Sequence, residues 1–241
     1  MKSKSHHVKL EDGEDRVEET DPAADATGVH LSVRLLVVVL GAIGVAWLLW
    51  KHFHDLEQRP KTIAVAALAV VAVGFVEYRA QAAEQRYGAA VSAVANRDVD
   101  VRCQGMFGHL IDIGQELGTV RFNAEGDPAD KTDIKRDACT WLKDYERGDK
   151  SVNFNSAVAV HVLAHEAIHL RGWTDETVAE CYGMQHTAQV ARALGAPARK
   201  AQLLARLYWE QVYPDMPDAY RTSDCADGAR LDLHKDSDVW P

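Results

Sequence analysis

The chain has 241 residues, 47% hydrophobic and 26% charged, enough for one ordinary folded domain with an appendage. Its formal net charge is −9, and Lys and Arg form no cluster with interleaved aromatics. That excludes the electrostatic footprint of a nucleic-acid binder.

Residues 1–30 come first. Their central stretch EDGEDRVEETDP holds seven acids and one Arg, and the whole reads as a disordered, solvated acidic tail. LLVVVLGAIGVAWLLW at 35–50 then carries no charge, and the preceding LSVR brings it to a spanning length of about 20 residues. Trp47 and Trp50 suit a membrane interface. After the linker KHFHDLEQRPK, in which Pro60 starts a new element, TIAVAALAVVAVGFVEY at 62–78 forms a second apolar run with only Glu77 charged. Apolar residues surround both runs instead of forming one stripe, which points to lipid. The expectation is a two-helix membrane hairpin within 31–80, with helices at about 32–50 and 62–78. Lys51, Arg59 and Lys61 lean the linker to the cytoplasm and the C-terminal domain to the outside of the cell membrane.

Residues 81–241 form the compact domain, opening on a helix that leaves the membrane over 79–102. TVRFNAEGDPADKTD contains a short β-like run and a turn at EGDP. DIKRDACTWLKDYERG places Ile134, Ala138, Trp141, Leu142 and Tyr145 at helical spacing, with Gly148 as stop. Three more helices follow within 151–172, 175–195 and 197–214, and the Pro- and Asp-rich remainder reads as irregular. The fold class is therefore mainly α with little β. Cys103, Cys139, Cys181 and Cys225 form no C-x-x-C pair, which argues against a Cys-rich zinc knuckle. They fit either two disulfides in a domain outside the cytosol, with three pairings open, or four buried thiols.

The chemistry concentrates in HVLAHEAIHLRGWTDETVAECYGMQ, residues 161–185. His165 and His169 lie four apart, so both rings project from one helix face and can reach one zinc ion at about 2 Å each. Glu166, about 100° round the helix, is placed to act as general base on a zinc-bound water. The third ligand is Glu176, with Asp175 its rival. Asp175 continues the pattern H-E-x-x-H-x-x-G-x-x-D, in which Gly172 turns the chain back. Glu176 opens E-x-x-A-E, one helical turn before Glu180. His161, one turn before His165, is a candidate oxyanion donor against the plainer reading of a satisfied histidine. Tyr208, Tyr213 and Tyr220 could also supply such a donor, with packing their default.

The Asp175 pattern resembles the metzincins, with Asp in place of the third His as in snapalysin-like proteases. The Glu176 pattern resembles the gluzincins, and ETVAECYG is similar to the second motif of membrane-anchored neutral zinc metallopeptidases. The resemblance covers about 25 residues in two helices. It implies a zincin-like domain, a Zn²⁺ cofactor, and Glu180 as the carboxylate that orients a ligating His. The resulting expectation is a membrane-anchored zinc-dependent hydrolase, a peptidase acting on a peptide or protein substrate. The alternatives are a non-catalytic membrane protein with a structural metal site or interaction surface, and hydrolysis of a non-peptide amide such as a cell-wall linkage.

Overall fold

A computed structural model describes residues 33–55, 60–104, 116–237 and 240–241. The acidic tail expected over 1–30 lies outside the described residues, as do parts of the linker and of the RCQGMFGHLIDIGQELG segment. The chain divides into two units, one ending at Val70 and the other beginning at Val71.

Among the described residues two helices come first, α1 (Val33–Asp55) and α2 (Pro60–Ala95). Among the described residues one helix, over Ala64–Ala95, is long and apolar enough to cross a membrane. The apolar part of α1 within them, Val39–Lys51, is shorter, so the expected pair of spans is reduced to one candidate. α2 also runs past the expected break at residue 78. Its first half exposes Val65, Leu68, Val71, Phe75, Val76 and Tyr78. From Ala83 the pattern changes, and Ala83, Tyr87, Ala90, Val91, Val94 and Ala95 are buried at spacings of three and four. The helix ends earlier than the expected residue 102, because Asn96 takes a positive φ of 57° that helical backbone cannot continue through.

Three strands follow: β1 (Asp100–Cys103), β2 (Gly118–Phe122) and β3 (Pro128–Ile134), in the order β1-β3-β2. β3 pairs parallel with β1 and antiparallel with β2. Ile134, expected in a helix, ends β3 opposite both Cys103 and Gly118. Helices α3 (Arg136–Arg147), α4 (Phe154–Leu170), α5 (Glu176–Ala193) and α6 (Ala198–Gln211) complete the domain, with short 3-10 turns at Tyr213–Asp215 and Asp218–Tyr220. Arg86 holds Glu146 through two 2.9 Å bonds and Tyr87 donates to the same carboxylate, joining α2 to α3. Disulfides Cys103–Cys139 and Cys181–Cys225 decide the question the sequence left open.

α4 is the centre of the core. It packs against α3, α5, α6, β2 and β3, and every residue from Ser156 to Leu170 is buried. A helix enclosed on all sides must find partners for each of its polar side chains. Those partners define the site.

Candidate metal centre

Asn153 caps α4 by accepting from the Ser156 N–H at 2.9 Å. His161, His165 and His169 then follow at intervals of four along one face. α5 crosses that face with Glu176 and Glu180, also four apart. The crossing is close because position 183 has no side chain: a Cβ on Gly183 would lie 2.8 Å from the His165 Cα. α5 starts where Asp175 accepts from the Val178 N–H at 3.0 Å. The Asp175 carboxylate is thus the helix cap, held below its ordinary pKa by Thr177 and the Val178 amide.

Glu180, only 1% exposed, gathers three donors. His161 Nε2 and His165 Nδ1 each lie 3.0 Å from its Oε2, and the Tyr208 hydroxyl donates to its Oε1 at 2.7 Å. Burial alone would raise this carboxyl, but the charge and hydrogen bonds of His161 and His165 hold it well below the usual range. His161 Nδ1 faces the Thr187 hydroxyl at 3.1 Å, and its ring stacks on Tyr208 at 3.6 Å. Both of its nitrogens are engaged inside the core, so the structure removes His161 as an oxyanion donor. Tyr208 reads as packing in the sequence, yet its hydroxyl is part of this network.

The opposite arrangement lies one turn away. His165 Nε2 and His169 Nε2 are 2.9 Å apart, and Glu176 Oε2 lies 3.2 Å from the first and 3.3 Å from the second. The Nδ1 atoms already have acceptors: Glu180 for His165, and the Trp173 carbonyl at 2.7 Å for His169. A carbonyl and an ionised carboxylate can only accept, so each Nδ1 donates behind its ring and each Nε2 is the nitrogen turned toward Glu176. Two ring nitrogens and one carboxylate oxygen therefore converge on one point. Ligand atoms held tetrahedrally on zinc at ~2.0–2.2 Å stand about 3.3 Å apart, close to this triangle. The donor set of two imidazoles and one carboxylate fits that metal.

Burial of His165 disfavours its charged form, but Glu176 and Glu180 overcome that and push its pKa up to about 10. Glu176 is lowered to about 2 by His165 and His169. The two carboxylates thus favour positive charge at His165.

No family model, curated protein or solved structure matches the chain.

Glu166 faces the sheet. Its Oε2 accepts from the Thr132 hydroxyl of β3 at 3.2 Å. A Cβ at Gly118 of β2 would come within 2.7 Å of its Cγ and Cδ, so the carboxylate occupies the space of a missing side chain. Burial raises its pKa, against the pull of His165 and His169. Neither Thr132 nor Gly118 carries a signal in the sequence, because both meet Glu166 only through the fold. Two aromatics flank the histidines. Phe122 of β2 stands edge-on to His169 with ring centres 6.3 Å apart, and Tyr220 stands 6.1 Å from His165.

Proposed function

We propose that the protein is a membrane-anchored, zinc-dependent peptidase built on His165, His169, Glu176 and Glu166. The observation that carries this reading is the convergence of His165 Nε2, His169 Nε2 and Glu176 Oε2 beside the buried carboxylate of Glu166. Structural zinc sites close with four protein ligands, whereas catalytic ones use three. Among the described residues the group formed with Glu176 supplies three, which favours the enzyme over a structural metal site. The resemblance of HEAIH and ETVAECYG to membrane-anchored neutral zinc metallopeptidases supports the same reading.

When bound, zinc supplies Lewis acidity toward a carbonyl and lowers the pKa of water toward about 7. The chain's own residues do the rest. Glu166 accepts the proton of the attacking water and passes it to the leaving amine. A carboxyl raised by burial is suited to both transfers, since it holds the proton briefly before releasing it. Glu180 and the Trp173 carbonyl fix the tautomers of the two histidines. Among the described residues β2 pairs only with β3, which leaves an outer edge next to the histidines for an extended peptide to join. That edge favours a peptide over a small non-peptide amide.

The apolar stretch of α2 anchors the domain to the bilayer. Lys51, Arg59 and Lys61 before it lean that side toward the cytoplasm, and the two disulfides support an extracytoplasmic domain. Protease added to intact cells should digest the domain, and full protection would reverse the orientation.

Metal analysis of the purified protein, with peptide hydrolysis measured with and without a chelator, tests the activity. Glu166→Gln should keep its zinc and lose roughly 100- to 10,000-fold in turnover. Equal turnover in that variant would sink the mechanism.

A further inference from the structure

We propose that the segment beyond α6 is a disulfide-held wall of the cleft, and that the Tyr220 hydroxyl it carries donates a hydrogen bond to the substrate carbonyl oxygen as charge develops there. This rests on the peptidase reading. It concerns a residue whose neighbourhood in the sequence is irregular and whose role there defaults to packing.

Of the candidate oxyanion donors His161, Tyr208, Tyr213 and Tyr220, three are engaged elsewhere. His161 has both nitrogens engaged, Tyr208 donates to Glu180, and the Tyr213 hydroxyl is closed on Thr222, accepting from its N–H at 3.0 Å and donating to its carbonyl at 3.3 Å. Tyr220 is different. Its ring stands beside His165, it is partly exposed, and among the described residues its hydroxyl has no hydrogen-bond partner. A phenol hydroxyl holds its proton at neutral pH and can donate it to an oxygen.

The position of Tyr220 is built. The 3-10 turn Asp218–Tyr220 packs against α5. Cys225 bridges to Cys181, the residue directly after Glu180. Gln185 of α5 donates to the Leu231 carbonyl at 2.9 Å and accepts from the Leu233 N–H at 2.8 Å. Arg221 donates to the Pro214 carbonyl at 3.1 Å. The turn and the residues after Tyr220 are thus pinned to the helix that brings Glu176 and Glu180, and Arg221 ties the turn back to Pro214. A donor held this way costs no rearrangement at the moment of reaction, which is what such a group requires.

The test begins with wild-type protein showing chelator-sensitive peptide hydrolysis; without it the peptidase reading falls and this inference with it. Tyr220→Phe keeps the ring and should keep full zinc content. Its kcat should fall roughly 100-fold with KM little changed, the loss expected for one oxyanion donor. Its affinity for a phosphinic peptide, read by calorimetry, should fall by a similar factor. Cys181→Ser/Cys225→Ser should lower kcat comparably, and adding Tyr220→Phe to that pair should lower it little further. Wild-type kcat and wild-type phosphinic-peptide affinity in Tyr220→Phe would overturn the donor role. Losses that multiply in the triple variant would overturn the role of the bridge in placing it.

Discussion

His165 belongs to two groups of the same composition, one with His161 and Glu180, the other with His169 and Glu176. In the first, three donors meet one carboxylate: His161, His165 and Tyr208 all point at Glu180. In the second, two Nε2 atoms and one carboxylate oxygen meet each other, while the Nδ1 atoms are engaged behind the rings. Exposure follows the same division. Glu180 is 1% exposed, while the Glu176 side chain is 38% exposed. Two histidines and a glutamate are therefore not a metal site by composition. The partners of the ring nitrogens make one group a closed network and leave the other a candidate metal site.

The sharpest way to break this comparison is to remove a member from each side. Glu176→Ala should abolish zinc retention after dialysis, read as metal per chain, and activity with it. Retained zinc there, with loss in Asp175→Ala, would transfer the ligand role to the helix cap. Glu180→Ala should bind zinc roughly 10- to 100-fold more weakly, measured by competition with a chromophoric chelator. It should also destabilise the fold by about 3–5 kcal/mol, since it leaves buried partners without their carboxylate. Undiminished stability would mean that the first group is not a network.

Gly118→Ala separates metal binding from proton handling. The added methyl must displace Glu166, and a misplacement near 1 Å costs about 100-fold in kcat. Zinc content should stay full; its loss would show that β2 supports the histidines as well. The smallest effects belong to the hydroxyl and the proton at Glu180. Tyr208→Phe should cost about 1–3 kcal/mol in denaturant unfolding by leaving one carboxylate oxygen without its donor. The folded-state pKa of Glu180 lies below the unfolded value of about 4.3, so its contribution is present above that pH and lost as pH falls through the folded value. Acid titration of stability should therefore be shallower in Glu180→Gln than in wild type, and identical curves would remove Glu180 from the balance.

What the sequence disclosed follows the range of each interaction. The spacing of His165, His169, Glu176 and Glu180 is local to two helices, and the alternatives at Asp175 and Glu176 are adjacent residues distinguished by capping. The sheet was harder to read, because β3 is PADKTDI, without the apolar alternation that marks a strand. Its Thr132 is fully buried for a reason found 34 residues away, in Glu166. The end of α2 was misplaced because nothing in ANRDVD announces the positive φ at Asn96. Tyr220 was obscured in the same way, since its place beside His165 depends on a bridge whose pairing no spacing specifies.

That pairing has a consequence for biosynthesis. Cys103 joins Cys139, 36 residues on, and Cys181 joins Cys225, 44 residues on, so the two loops neither nest nor interleave. A chain delivered from its N-terminal side presents its cysteines in the order in which they are paired. The first loop can close before Cys181 emerges, and the second then has only one partner left for each thiol. Oxidation in order of appearance gives the native set directly, without the reshuffling that four simultaneously exposed thiols and three alternative pairings would require.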